Sequence, residues 1–151
     1  MEVFKITPVQ YAHKLTASGR PNRWNKKGEF VIYAGSSRSL STLELVVHRG
    51  SIKPSVSYRV MVLSLKDDSA LYKTLTTAEF PPNWKNIHAY TTLQQLGSKW
   101  YQNQESMVLR VPSVIIPYEF NYILNTTHPS FKEHVSLVRS ELYFWDDRLP
   151  L

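Results

Sequence analysis

Apolar and polar positions along this chain switch between a period of two and a helical period, and the switches mark the elements. Val3-Phe4-Lys5-Ile6 reads as a short first strand, stopped before Pro8. Thr7-Pro8 suits a helix start, and residues 10–15 are predicted to form a short helix. Residues 16–28 are a loop rich in Gly, Pro, Asn and Ser. Residues 30–34 are β-branched and aromatic, and predict a strand. A serine-rich turn, Ser36-Ser37-Arg38-Ser39, leads into a predicted helix over 40–48 with apolar residues at 40, 43 and 47 and Gly50 as its C′ residue. Residues 57–65 alternate Tyr58, Val60, Val62 against Arg59, Met61, Leu63, which predicts a strand. Asp67-Asp68-Ser69 is a turn and Pro81-Pro82-Asn83-Trp84 a rigid connection. Residues 90–100 predict a helix with Gly97 as a weak point inside it. Residues 107–111 and 140–145 predict strands, and 117–124 carry no decisive pattern. Strands outnumber helices and the helices are interspersed, so the expected class is α+β with a largely antiparallel or mixed sheet.

Composition narrows the classes. A length of 151 residues is expected as one domain, 1–151, large enough for a core without staples. The chain has no cysteine, which removes a disulfide framework, a thiolate nucleophile and a thiolate zinc site. No apolar run is long enough to span a bilayer, so no membrane partner is expected. The start, MEVFKITPVQYAHK, carries Glu2 and has no uninterrupted apolar core, so it does not read as a secretory signal, and a cytoplasmic location is expected. The net charge of +6 admits polyanion affinity. The basic residues are scattered, with Lys26-Lys27 as the one adjacent lysine pair. A footprint that tracks a nucleic-acid backbone needs a denser stripe, so no direct nucleic-acid contact is expected; a basic nucleic-acid-binding module is the remote alternative.

Common chemical motifs are missing. There is no GxGxxG and no Walker lysine pattern. Histidines at 13, 48, 88, 128 and 134 show no metal-binding spacing, so no metal is expected. Ser113 does not sit in a GxSxG elbow. Glu29, Glu44 and Glu141 leave a carboxylate pair open, but nothing singles them out.

A series of spaced motifs carries more. It runs Arg23-Trp24-Asn25-Lys26-Lys27-Gly28, Val31-Ile32-Tyr33-Ala34, then Ser39-Leu40-Ser41-Thr42-Leu43-Glu44-Leu45 with His48 one turn after Glu44. It continues through Gly97-Ser98-Lys99-Trp100, Val111-Pro112-Ser113 and Asn121-Tyr122-Ile123-Leu124-Asn125, with His128-Pro129 behind. In order and spacing this resembles the RES domain family, from Phe4 to the C-terminal strand. The resemblance implies an ADP-ribosyltransferase-like fold, a split mixed sheet with interspersed helices. It implies the toxin of a type II toxin–antitoxin pair, held in a hetero-oligomer by an Xre-like helix-turn-helix antitoxin. The implied substrate is NAD+, cleaved at the nicotinamide–ribose bond by hydrolysis or phosphorolysis, with ADP-ribosylation of a protein target as the alternative. Two departures stand out. Many members carry an arginine in the first strand where this chain has Lys5, which keeps the charge and loses the bidentate fork. Pro21-Asn22 replace a glycine pair.

Cleaving that bond builds oxocarbenium character on the ribose. The resemblance assigns Arg23 to the phosphates, Tyr33 to the nicotinamide ring, Glu44 to the charge on the ribose, and Ser113 to a ribose hydroxyl or to Glu44. Asn25 and Lys5 join Arg23 and Tyr33 as substrate-binding candidates, and Asn121 braces the neighbourhood. Trp24 and Trp100 are expected as packing residues. On their own the residues leave other readings open. Arg23 suits a surface arginine or a partner for Glu44. Tyr33 suits a core position on the side of Val31. Glu44 fits a capping box with Ser41 as N-cap, or a place at the flank of the 40/43/47 stripe. Ser113 suits an ordinary turn, and Asn25 a brace for its loop.

Overall fold

The computed structural model of the protein describes residues 1–49 and 56–149. Its strands are β1 (Glu2–Pro8), β2 (Val31–Gly35), β3 (Tyr58–Leu65), β4 (Tyr72–Thr74), β5 (Val108–Pro112), β6 (Phe120–Asn125) and β7 (Val135–Leu142). Its helices are α1 (Arg38–Arg49), α2 (Tyr90–Gln102) and the one-turn α3 (Phe131–His134). Among the described residues the strands form one seven-stranded sheet in the order β4-β5-β6-β2-β1-β3-β7. The β4–β5 pair is parallel and the other pairs are antiparallel, so the class is α+β with a mixed sheet.

The middle of this sheet is open. β1 pairs with β3 along its full length, and β2 pairs with β6 along its full length. β1 and β2 meet at a single register pair, Phe4 with Gly35. Ser41 of α1 pins that junction: its hydroxyl donates to the Phe4 carbonyl at 2.8 Å and to the Ser37 carbonyl at 3.0 Å. A Cβ at Gly35 would stand 2.6 Å from the Ser41 oxygen, which is why the last residue of β2 has no side chain. Beyond the pinned end the strands diverge, and the split divides the sheet into two halves.

Apolar side chains cover the sheet on both faces. Ile32, Ala34, Met61, Leu63, Met107 and Leu124 belong to one cluster. Val31, Leu109, Val111 and Ile123 belong to the other, under α2 and the Trp24–Phe80–Trp84 aromatics. Strands buried on both faces read as continuous apolar runs, and VIYAG does. α2 docks through Leu93, Gly97 and Trp100, spaced four and three apart on one helix face. Gly97 allows the closest approach: a Cβ there would fall on the Trp24 carbonyl oxygen. The residue expected as a weak point in the helix is its contact point with the 16–28 loop.

Several elements depart from the sequence expectation. In place of a helix over 10–15 there is one 3-10 turn, Val9–Tyr11. His13 and Lys14 are exposed and Ala12 is the buried residue there, so a longer helix would have no face to bury. α1 begins earlier than residue 40, because the Ser37 hydroxyl accepts the Leu40 N–H at 3.0 Å and caps it. Ser41 lies inside the helix, so the Ser41–Glu44 capping box does not form. The 40/43/47 stripe is not a core face either: Leu40 is buried, while Leu43 is 37% and Val47 63% exposed. The undecided 117–124 segment holds all but the last residue of β6, in the interior of the sheet. The last strand is Val135–Leu142 and not 140–145; it follows α3 directly and carries an irregularity opposite Val62 and Leu63. Tyr72–Thr74 forms a strand that periodicity did not mark. The expected C′ residue, Gly50, lies outside the described residues.

Candidate active site

The split in the sheet opens onto a cleft with three connected lobes of about 580, 420 and 320 Å³. Asn22, Tyr33 and His48 line all three. The largest lobe lies against Lys5, Lys14 and Arg20. The middle lobe is bounded by Lys5, Arg20, Glu44 and Asn121. The smallest is bounded by Arg23, Trp24, Glu44, Tyr90, Ile115 and Asn121.

Glu44 stands on α1 between the smaller lobes. Asn121 of β6 donates its amide to Glu44 Oε1 at 2.6 Å, and Ser113 donates its hydroxyl to the same oxygen at 3.5 Å. Oε2 takes no hydrogen bond from the described residues. Ser113 is 2% exposed, and its own oxygen accepts the N–H groups of Ile115 and Ile116 at 3.0 and 3.1 Å. Those bonds fix the hydroxyl at the end of β5, so the serine orients the carboxylate.

Tyr33 points from β2 into the cleft, and its hydroxyl is fully used. It donates to Asn25 Oδ1 at 2.6 Å and accepts the Trp24 N–H at 3.1 Å. Burial pushes the phenol's pKa well above its usual range, so it stays a donor at all ordinary pH. Asn25 is 1% exposed and spends its amide on the carbonyls of Arg20, Lys26 and Glu29 at 2.9, 3.2 and 3.2 Å. It bounds none of the three lobes and braces the loop behind them.

Arg23 makes no pair with Glu44. Its Nη1 donates to the Trp84 carbonyl at 2.8 Å and its Nη2 reaches the Lys85 carbonyl at 3.4 Å. Its guanidinium lies 4.6 Å from the centre of the Tyr90 ring. These contacts fix the guanidinium plane at the wall of the smallest lobe. Trp24 beside it is 3% exposed and packs 5.2 Å from Phe80, so the loop is anchored through the tryptophan while the arginine reaches the cleft. Trp100 is 1% exposed and donates its indole N–H to Ser106 at 2.8 Å. Lys5 borders the two larger lobes, and burial lowers its ammonium's pKa below the usual lysine range.

The other two glutamates go elsewhere. Glu29 is 4% exposed and is bonded by the Lys26 N–H at 2.8 Å, the Gln102 amide at 3.3 Å and the Ser98 hydroxyl. Glu141 pairs with Arg38 at 2.6 Å and Arg139 at 2.9 Å on the outer strand. No second carboxylate therefore faces Glu44 across the cleft among the described residues. Lys14, Arg20, Asn22 and Tyr90 also line the cleft, and none of them has a local signature in the sequence. The path of the chain around residues 16–28 brings in the first three, and Tyr90 arrives at the start of α2, under the Arg23 guanidinium.

The described residues hold no group of three or more His, Asp or Glu side chains placed for a metal ion. No helix among them is long and apolar enough to cross a membrane. Fold and site together define an α+β protein whose split sheet holds a polar cleft around one oriented carboxylate. The RES domain family description matches residues 3–146, and the chain belongs to that family. The chain is 33% identical over 127 residues to "Toxin Res" of Yersinia enterocolitica serotype O:8 / biotype 1B, covering 84% of this chain and 82% of the relative. It is 36% identical over 111 residues to "Prs ADP-ribosylating toxin" of Sphingobium sp. strain YBL2, covering 73% and 69%. A third relative, "Toxin Res" of Pseudomonas putida, is 31% identical over 113 residues, covering 71% and 72%.

Proposed function

We propose that this chain is a toxin that cleaves the nicotinamide–ribose bond of NAD+, and that Glu44 is its central catalytic residue. The observation that carries the reading is the half-used carboxylate: Oε1 is held by Asn121 and Ser113 while Oε2 is left for a ligand. A ribose hydroxyl bonded to Oε2 would become more acidic as C1′ turns cationic, so its hydrogen bond to the fixed carboxylate would strengthen and stabilise that charge. The C–N bond breaks with its electron pair leaving on nicotinamide, which departs neutral. An acceptor oxygen then closes on C1′ and gives up its proton. Tyr33 offers its ring face to the nicotinamide, and its fixed hydroxyl keeps the ring from turning away. Arg23 meets the phosphate on the nicotinamide side and Lys5 the one on the adenosine side. Asn25 acts through Tyr33 as a positioning residue.

Membership of the RES family and the relatives named as toxins support the toxin reading, and the relative named as an ADP-ribosylating toxin supports use of NAD+. We assign the physiological setting as the cytoplasm and the partner as an Xre-like antitoxin in a hetero-oligomer. Transfer of ADP-ribose to a protein is the second reading, favoured by the name of the Sphingobium relative.

The test incubates the purified protein with NAD+, with and without phosphate, beside a Glu44→Ala variant, and follows nicotinamide and ADP-ribose products by chromatography. Rapid nicotinamide release that the variant loses is the expected result. ADP-ribose against its 1″-phosphate names the acceptor. Folded wild type that leaves NAD+ intact would rule out free NAD+ cleavage and move the search to a protein acceptor.

A further inference from the structure

The largest lobe holds more positive charge than a pyrophosphate accounts for. Lys5, given above to the adenosine-side phosphate, and Arg20 line both it and the middle lobe, so both lie along the path of a pyrophosphate whose other phosphate falls to Arg23. Lys14 lines the largest lobe and neither of the others, with the hydroxyl residues Thr16 and Ser18 beside it. No Asp or Glu borders this lobe among the described residues. Nor do Lys5, Lys14 or Arg20 have an ion-pair partner among the described residues.

The place of Glu44 sets the direction of the substrate. Glu44 borders the two smaller lobes and not the largest, so the nicotinamide ribose lies on the side of the smaller lobes, the smallest of which is walled by Trp24, Tyr90 and Arg23. The adenosine end then falls in the largest. In Rossmann-type sites an acid against the adenosine ribose 2′-hydroxyl selects the unphosphorylated dinucleotide and a nearby arginine accommodates a 2′-phosphate, and the same charge logic applies on any fold. This lobe has the second composition.

We propose that Lys14, at the adenosine end of the cleft, receives a 2′-phosphate, so that this chain cleaves NADP+ as well as NAD+. The inference rests on the NAD+-cleaving function proposed above and extends it to a second substrate class.

Two measurements test it. The first compares kcat/KM for NADP+ and NAD+ in wild type and in Lys14→Glu. Wild type should favour NADP+ or use the two within about threefold, and Lys14→Glu should lower the NADP+/NAD+ ratio by at least roughly tenfold, as expected for loss of a charge-assisted phosphate contact. Cleavage of NAD+ with NADP+ refused would overturn the inference and leave the proposed function standing. An unchanged ratio in Lys14→Glu would overturn the role of Lys14. The second needs no turnover: calorimetry with adenosine 2′,5′-bisphosphate against 5′-AMP. The bisphosphate should bind about tenfold tighter or better, and Lys14→Glu should erase the preference. Equal or weaker binding of the bisphosphate overturns the inference even if neither dinucleotide is cleaved, an outcome that separately sinks the NAD+-cleaving function.

Discussion

Glu29 and Glu44 are carboxylates drawn back from solvent, and they differ in how their oxygens are spent. Glu29 engages both: Oε1 takes Ser98 and Gln102, and Oε2 takes the Lys26 N–H. It borders none of the three lobes, and it ties the loop of Arg23 and Asn25 to α2. Among the described residues Glu44 engages one oxygen, and it borders two of the lobes. A carboxylate whose lone pairs are consumed by its own chain holds structure together. One that is oriented through a single oxygen, beside open space, is set up for a ligand.

Four experiments would break or sharpen this contrast. Glu44→Gln should have the largest effect, a fall of about 10²–10³-fold in the rate of nicotinamide release, the size seen when one preorganised electrostatic group is removed. Its thermal midpoint should stay within a few degrees of wild type. Gly97→Ala should act in the opposite sense, costing about 3 kcal/mol or more in denaturant titration, because the new methyl collides with the Trp24 carbonyl. Glu29→Gln should cost about 2 kcal/mol, since its amide turns a donor toward either the Lys26 N–H or the Gln102 amide. Activity per folded molecule should survive that change; if it collapses as in Glu44→Gln, the contrast fails.

The smallest expected effect is on pH dependence. Burial lowers the Lys5 pKa, so its charge is lost as pH rises through a value below that of an ordinary lysine. KM for the dinucleotide should therefore climb on the alkaline side, a few-fold, before kcat changes. Lys5→Arg should abolish that climb, since a guanidinium keeps its charge. The sign for stability is the reverse. The buried ammonium disfavours the folded state while protonated, so stability of the free protein should rise slightly as pH passes from the lowered value toward the unfolded one. A flat KM profile would remove Lys5 from the phosphate site.

Much of this was legible along the chain, and the failures have physical causes. Strands near residues 3–6, 30–34 and 57–65 showed themselves because apolar burial writes a local pattern. β6 did not, because its pairing with β2 and β5 is a long-range fact and its segment begins after a Pro-Tyr-Glu turn without clear alternation. Ser41 and Glu44 left a capping box open as an alternative in the sequence, yet the helix starts at Arg38 and turns Ser41 toward Phe4. Gly97 looked like a weakness because the Trp24 carbonyl that needs its missing side chain is far away in sequence. The basic residues looked scattered because only the path of the loop gathers Lys5, Lys14 and Arg20 on one lobe.

The single register pair between β1 and β2 has a consequence for hydrogen exchange. In an antiparallel strand successive backbone amides point to opposite neighbours. Along β1 one alternating set is locked against β3, and the other looks into the gap; β2 is divided in the same way by β6. One strand should thus carry two interleaved exchange rates, slow amides taking their protection from the whole fold and fast ones from whatever occupies the gap. Saturating dinucleotide should slow the fast set and leave the slow set where it was, turning the backbone of the opened sheet into its own gauge of occupancy.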